Sequence, residues 1–264
     1  MAVAPLTRVD ASGSQTDQDL VPVEAPLTIE AGGVSLGLFL RTPGDDLALA
    51  TGLLFAEGII RSAGDILAHT LAVDADEASA AIRLTLAPQV VIDAAALARS
   101  GVATTACGLC GRLTDQLGHN RPEKNEIGTR FSETSPDLVF DLVSALPQKL
   151  RAAQQVFAET GGLHAAGFFT TDGTLVDLAE DVGRHNAVDK IVGRALVAGR
   201  LPATDLILVV SGRVAFEIVQ KAAMAGVKTL VAIGAPTSLA VKAARDAGLQ
   251  LIGFARDGRF NRYA

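Results

Sequence analysis

The stretch LILVVSGRVAFEIVQKAAMAGVKTLVAIGAPTSLAVKAARDAGLQLIGFARDGR, residues 206–259, decides the fold. Three short apolar runs alternate with two amphipathic segments, and each segment is closed by a glycine. The runs predict strands over 206–210, 229–233 and 249–254, and the segments predict helices over 214–225 and 238–247. Such alternation favours right-handed crossovers, and therefore an α/β fold in which a parallel sheet carries helices on both faces.

Upstream of this stretch, the sequence predicts further elements. Residues 138–160 are helical up to Gly161-Gly162, residues 164–170 and 174–178 form a hairpin, and residues 187–198 form a helix. Nearer the amino terminus, residues 34–40 and 81–86 have strand character, and residues 47–56 are an apolar helical run. The polar stretch 118–136 holds two prolines and predicts a mobile connection between two halves.

These elements predict three units along the chain. Residues 1–20 are expected to be disordered. Residues 21–136 are expected to form an α+β N-terminal domain that includes the polar connection. Residues 137–264 are expected to form the α/β domain, with ligand-binding loops at its strand ends.

Composition limits the classes of partner. The 264 residues are 49% hydrophobic and 20% charged, which is enough to bury a large core. A net charge of -6 gives no general attraction to nucleic acid or to an anionic membrane, so a protein or a small anion is the expected partner. The first residues lack the features of a signal peptide, and no later run is apolar enough to span a bilayer. We therefore expect a soluble, cytoplasmic protein.

The strand ends of the predicted sheet carry polar and basic residues. Ser211-Gly212-Arg213, residues 234–238 and residues 254–259 follow the three strands in turn. Parallel sheets bind ligands at this edge, where helix N-termini and arginines can hold phosphate groups. An alternative carries equal weight: Thr237 and Ser238 cap a helix, and the arginines are solvated. No Walker lysine motif or GxGxxG motif points to a particular nucleotide.

A second polar stretch, residues 180–186, mixes carboxylates, a guanidinium and an imidazole. It could bind a polar ligand or transfer protons. The more common fate of such a stretch is a capping turn, in which Asn186 caps the next helix and Asp181 pairs with Arg184. We favour the capping interpretation for His185, and His164 has a similar ambiguity.

The only two cysteines, Cys107 and Cys110, stand together in Cys107-Gly108-Leu109-Cys110-Gly111. In a reducing compartment such a pair is typical of metal binding, redox exchange or sulfur carriage. A zinc site would need two more ligands, from among His69, His119, His164 and His185, and no second paired motif supplies them. The spacing does not separate thioredoxin-like exchange from sulfur carriage. In sulfur carriage one thiolate accepts a sulfur atom as a persulfide, and Arg112 could favour that thiolate.

Several ordered motifs resemble the formate dehydrogenase accessory sulfurtransferase family (FdhD). They are 104–111 around the cysteines, 161–166 (GGLHAA), 180–190 (EDVGRHNAVDK), Ser211-Gly212-Arg213 with 217–221, and 253–256 with Asn261 and Tyr263. The segments 24–27 and 41–58 also resemble the family. The resemblance therefore covers almost all of the chain beyond residue 20.

This resemblance implies a protein that takes sulfur from a cysteine desulfurase and transfers it to the molybdenum cofactor, bis(molybdopterin guanine dinucleotide), for formate dehydrogenase. Cys107 would carry the persulfide, and Cys110 would assist or carry sulfur in its place. The cofactor-binding residues of the family would correspond to the carboxyl-terminal loop: Phe254, Ala255, Arg256, Asp257, Gly258 and Arg259.

The resemblance also implies a cytidine-deaminase-like fold without zinc ligands for the second half, no resident metal, and a homodimer. Two other functions stay open. A cofactor-binding chaperone would deliver the cofactor without moving sulfur, and a thiol-disulfide oxidoreductase would need both cysteines but no desulfurase.

Overall fold

The computed structural model describes residues 1–74, 79–92, 140–256 and 258–264. In the first half the elements are β1 (Ala2–Asp10), β2 (Gly13–Val21), β3 (Ala25–Ala31), β4 (Val34–Arg41), α1 (Asp46–Ala56), β5 (Ile66–Val73) and β6 (Ala80–Leu86). In the second half they are α2 (Phe140–Ala153), α3 (Gln155–Thr160), β7 (His164–Thr170), β8 (Leu175–Asp181), α4 (Arg184–Val197), β9 (Leu206–Val210), α5 (Phe216–Met224), β10 (Thr229–Ala232), α6 (Ser238–Ala247), β11 (Gln250–Arg256) and β12 (Arg259–Arg262). The cysteines and the polar connection 118–136 lie outside the described residues.

The second half folds around a six-stranded sheet with the strand order β12-β11-β10-β9-β7-β8. The three strands β9, β10 and β11 are parallel, which confirms the prediction from the alternating stretch. β7 and β12 pair antiparallel on either side of them, so the sheet as a whole is mixed. The cytidine-deaminase-like layering stays a prediction.

Alternating side chains of the central strands supply two cores. In β9, Leu208 packs with α4, α5 and α6 on one face of the sheet, whereas Val209 packs against α2 on the other. A strand that is apolar on both faces needs such double cover. The prediction of helices on both faces is therefore confirmed.

The first half contains a four-stranded sheet with the order β4-β3-β6-β5. Its inner face, which includes Leu27, Ile29 and Ile82, belongs to the same core cluster as Val188 of α4. The helices α1 and α4 cross closely at two glycines: a Cβ on Gly52 would overlap the carbonyl of Asp189, and one on Gly193 would overlap the carbonyl of Ala48. One continuous apolar core thus joins the two halves.

The amino terminus differs from the predicted disorder, because β1 and β2 pair as an antiparallel hairpin from Ala2↔Val21 to Asp10↔Gly13. The turn of this hairpin is stabilised by a hydrogen bond from the Ser12 N–H to the Asp10 carboxylate at 2.7 Å. Gly13 follows with φ 137°, a backbone conformation that favours glycine. Arg8 and Asp17 pair across the strands at 3.0 Å. The strands were missed because their largely exposed side chains show no apolar alternation.

Other boundaries also differ from the sequence prediction. The predicted helix 138–160 consists of α2 and α3, which are separated at Gln154. α4 starts three residues earlier than predicted, at Arg184, and β8 extends to Asp181. The strands β3, β5 and β12 were not predicted. None of the described helices is long and apolar enough to cross a membrane.

Candidate functional site

The carboxyl ends of β9, β10 and β11 lie beside the start of β7 and the end of β8. We call this border of the six-stranded sheet the strand-end edge. α4 and α5 also begin here, since they follow β8 and β9. The edge thus collects loop backbone and helix N-termini in one place, as expected for a parallel arrangement.

Three strand-end loops pack directly against one another through backbone. The Gly234 N–H donates to the Gly212 carbonyl at 3.3 Å, and the Phe254 N–H donates to the Gly234 carbonyl at 3.1 Å. A Cβ on Gly234 would lie 2.6 Å from the Gly212 oxygen, which is too close for any side chain. Glycine is therefore required at position 234 for the loops after β9 and β10 to stay in contact.

The segment predicted to bind the cofactor, residues 254–259, runs from the last three residues of β11 to the first residue of β12. Phe254 has φ 53°, an uncommon conformation for a bulky residue, and it lies in an irregular stretch of the strand pair. Ala255 is fully buried in the core against α2, so only its backbone can face a ligand. Gly258, at φ 69°, makes the turn, and Asp257 lies outside the described residues.

Arg256 and Arg259 are exposed and lie directly opposite each other in the register of β11 and β12. Like charges in this arrangement repel each other in the absence of an anion. Two guanidinium groups side by side also match the oxygens of a phosphate group. The loop therefore concentrates positive charge at one end of the strand-end edge.

The other end of the edge carries His164, Arg184 and Ser211. The Ser211 hydroxyl accepts the Ala165 N–H at 2.9 Å and lies 3.5 Å from Nδ1 of His164. Burial lowers the pKa of His164, and the charge of Arg184 lowers it further. The structure thus brings together residues from three motifs that are separate in the sequence.

His185 is 5% exposed in the first turn of α4. Burial lowers its pKa to about 4, and the charges of Lys221 and Arg184 act in the same direction. The imidazole is therefore neutral at neutral pH. The sequence predicts a capping turn here, but Gly183 is the N-cap residue and makes no side-chain cap.

Asp181 is the centre of a buried polar network that links the two halves of the chain. It pairs with Lys190 at 2.8 Å and accepts hydrogen bonds from the Thr42 N–H at 3.1 Å, the Gly183 N–H at 2.8 Å and the Asn186 amide at 2.9 Å. The predicted pair of Asp181 with Arg184 is therefore wrong, because Lys190 provides the counter-charge. Asn186 lies inside α4 and is not its cap.

A second buried ion pair joins α4 to α5. The Lys221 ammonium lies 2.6 Å from Oδ1 of Asp189, and both side chains are almost fully buried. Burial raises the pKa of Asp189 to about 6, although Lys221 opposes this shift. The sequence signal for these pairs is the presence of charged residues such as Asp189 and Lys221 within apolar helical segments. A buried charge without a partner would lower the stability of the fold, so such residues are expected to be paired.

The predicted capping role of Thr237 is confirmed, because its side chain accepts the Ala240 N–H at 3.2 Å. Cys107 and Cys110 lie outside the described residues, as does His119. Within the described part of the chain, no three His, Cys, Asp or Glu side chains are grouped as metal ligands. His69 lies on β5, in the sheet of the first half.

Comparison with known proteins assigns a family to this arrangement. The sequence profile of the FdhD/NarQ family matches residues 22–264. The chain belongs to the FdhD/NarQ family. That assignment confirms the resemblance found in the sequence motifs.

Relatives of this FdhD/NarQ chain match almost all of its length. Sulfur carrier protein FdhD of Streptomyces avermitilis is 43% identical, covering 97% of this chain and 91% of the relative. Sulfur carrier protein FdhD of Sulfolobus acidocaldarius is 39% identical, covering 98% and 94%. A solved structure of a candidate formate dehydrogenase accessory protein from Desulfotalea psychrophila has a TM-score of 0.72 at 21% identity, covering 99% of this chain and 96% of the other. This last similarity establishes a shared fold.

In this FdhD/NarQ chain, several motifs that carried the resemblance converge on the strand-end edge. His164 begins β7, Asp181 ends β8, and Ser211 follows β9. The Arg41-Thr42 segment reaches the same place through the hydrogen bonds of Thr42 to Asp181 and Lys190. Motifs far apart in sequence thus form one connected structure.

Proposed function

We propose that this protein is a sulfur carrier that takes sulfur from a cysteine desulfurase and transfers it to the molybdenum cofactor for formate dehydrogenase. The observation that carries the proposal is the whole-chain similarity to proteins named sulfur carrier protein FdhD. The placement of both cysteines in a single Cys-X-X-Cys pair supports it, because a carrier needs a nucleophilic thiolate.

The proposed loading step is a thiolate exchange at sulfur. The Cys107 thiolate attacks the terminal sulfur of the desulfurase persulfide; the S–S bond of that persulfide breaks, and the desulfurase cysteine leaves as a thiolate. Cys107 then carries the sulfur as a persulfide. No electrons are gained or lost overall, since one S–S bond replaces another.

Release of the sulfur as sulfide needs two electrons, which Cys110 can supply. Its thiolate attacks Sγ of Cys107, a Cys107–Cys110 disulfide forms, and the terminal sulfur leaves as hydrosulfide for the cofactor. A dithiol reductant then restores the pair. This step gives Cys110 the assisting role that the resemblance implies.

The molybdenum cofactor is the substrate in this scheme, and the loop 254–259 is its proposed binding site. Arg256 and Arg259, opposite each other in the strand register, offer two guanidinium forks to the phosphates of a guanine dinucleotide. The N-terminus of α6 follows the neighbouring strand β10 and favours anions at the same edge. As the resemblance implies, we propose that the protein works as a homodimer in the cytoplasm.

The test is mass spectrometry of the intact protein after incubation with a cysteine desulfurase and L-cysteine. We expect a reducible gain of one sulfur atom that is lost in Cys107→Ala. Without a gain in wild type, the cofactor-binding chaperone replaces this proposal. A thiol-disulfide cycle that needs both cysteines but no desulfurase makes the protein an oxidoreductase.

A second measurement separates the proposed cofactor site from the sulfur site. The double variant Arg256→Ala/Arg259→Ala should retain less cofactor on gel filtration and should gain sulfur at Cys107 as wild type does. Arg200→Ala is the control, because Arg200 is exposed beyond the far end of α4. Loss of sulfur loading together with cofactor retention contradicts separate sites.

A further inference from the structure

The start of α4 holds a buried hydrogen-bond donor that lacks an acceptor. Nε of Arg184 is buried, and the described residues offer it no hydrogen-bond partner. His185, whose side chain is 5% exposed, follows Arg184 in the same helical turn. Buried polar groups are nearly always hydrogen-bonded, so an acceptor that is not part of the described chain is expected here.

The electrostatics of this place favour an anion. Arg184 lowers the pKa of both His164 and His185, and Lys221 acts on His185 in the same direction. The carboxylates that face the group are Asp181, which raises the pKa of His164, and Glu217, which raises that of His185. They do not reverse either shift.

The acidic neighbours are also engaged elsewhere. Asp181 is paired with Lys190 at 2.8 Å, and Asp189 neutralises Lys221 at 2.6 Å. No ion pair of Arg184 occurs within the described residues. The guanidinium of Arg184 is therefore the positive charge left without a counter-ion at the start of α4.

The loop after β9 packs directly against these side chains. A Cβ on Gly212 would lie 3.4 Å from the Arg184 stem and 3.4 Å from Nδ1 of His164, so glycine lets the backbone of this loop approach both groups. α4 is 14 residues long, and its N-cap, Gly183, provides no side-chain acceptor for the first-turn amides. The Ser211 hydroxyl, which accepts the Ala165 N–H, can donate its own proton either to Nδ1 of His164 at 3.5 Å or to a ligand.

We propose that Arg184, His164, His185 and Ser211, with the first turn of α4, bind a phosphate group. This site is separate from the loop 254–259. About three strand spacings, roughly 14 Å, separate the end of β11 from the start of β7. The proposal goes beyond the proposed sulfur-carrier function, because it needs neither cysteine and no sulfur transfer.

Pyrophosphate is the probe, and the imidazole resonances of the full-length protein are the readout. Saturable shifts of the His164 and His185 resonances are expected, with no shift of His69, which lies on β5. Bound phosphate should also raise the pKa of His164, because its negative charge opposes that of Arg184. Resonances are assigned from the variants His164→Gln and His185→Gln.

Arg184→Gln removes the charge and should weaken pyrophosphate binding about tenfold or more, the range for a lost charge-assisted hydrogen bond. Arg184→Lys keeps the charge without the fork and should fall between Arg184→Gln and wild type. Arg200→Gln, beyond the opposite end of α4, should bind as wild type does. Circular dichroism checks that each variant is folded.

Two results overturn the proposal: no saturable shift in wild type, or equal affinity in wild type and Arg184→Gln. Where the site is present, competition identifies the source of the phosphate. Displacement of pyrophosphate by intact molybdenum cofactor assigns the site to a phosphate of the cofactor, and failure to displace it assigns the site to a free phosphate. Sulfur loading of Cys107, measured on Arg184→Gln, reports separately on the proposed function.

Discussion

His185 and Asp189 lie one helical turn apart on α4, and burial favours the neutral form of each. The pKa of His185 is lowered to about 4, and that of Asp189 is raised to about 6. Both groups are held in place by the same buried surroundings, which include Lys221. Their effects on the pH dependence of stability should therefore have opposite signs over the same pH range.

For His185, the unfolded chain binds more protons than the fold between about pH 4 and the unfolded value near 6.5, so stability rises with pH. For Asp189, the fold binds more protons between about 3.8 and 6, so stability is lost as pH rises through that window. The two contributions therefore oppose each other in wild type between about pH 4 and pH 6.

His185→Gln should expose the contribution of Asp189. We expect its urea midpoint to fall, relative to wild type, as the pH rises from about 4.5 to about 6.5. Asp189→Asn should change in the opposite direction. Parallel pH profiles for wild type and His185→Gln would contradict the depressed pKa of His185.

At the scale of elements, the crossing of α1 with α4 determines how the halves meet. Gly52 and Gly193 each face a carbonyl of the opposite helix, without room for a Cβ. Close helix approach of this kind needs small residues, because side chains would separate the backbones. Two buried ion pairs connect α4 to its other neighbours: Lys190 pairs with Asp181 at the end of β8, and Asp189 pairs with Lys221 of α5.

Gly52→Ala should therefore separate α1 from α4 and lower the free energy of unfolding by about 3 kcal/mol. Urea unfolding followed by circular dichroism measures this. Gly64→Ala is the matched control, because its Cβ would lie 3.7 Å from the nearest atom, the Ser62 hydroxyl, and its effect should be small. Equal destabilisation by both changes would mean that the crossing is not the cause.

At the scale of the whole molecule, the core does not divide between the two sheets. Residues of the first half, including Leu27 and Ile29, share one cluster with Val188 and Leu208 of the second half. Arg194 of α4 adds a surface link, at 2.7 Å from Asp45 and 2.9 Å from Asp177. The two halves therefore depend on each other for burial of their apolar faces.

Thermal unfolding should accordingly occur in one cooperative transition. The calorimetric enthalpy should equal the van't Hoff enthalpy, which is the test for two-state behaviour. Two resolved transitions would mean that each half retains its structure alone. The amino-terminal hairpin is outside this expectation, since its side chains are mostly exposed.

Some of the candidate site could be predicted from the sequence and some could not. The position of the loops at the strand ends followed from the alternation of residues 206–254, because parallel strands place their carboxyl ends at one edge. The cross-strand register that puts Arg256 opposite Arg259 could not be predicted, because β12 is only four residues long and its hydrophobic pattern is weak. The sequence also could not predict that Nε of Arg184 lacks a hydrogen-bond partner. Whether an acceptor lies within reach depends on the packing of distant segments, which no local sequence pattern indicates.

The sequence by itself determined the order and type of the elements in residues 206–254, since hydrophobic periodicity and glycine stops are local properties of the chain. Its motifs also determined the family. Only the tertiary structure decided that Thr42 bonds to Asp181, 139 residues away, and that Lys190 replaces Arg184 as the partner of that carboxylate. The physical reason is that a buried charge takes the counter-charge that packing places beside it, and packing between distant segments is a property of the whole core.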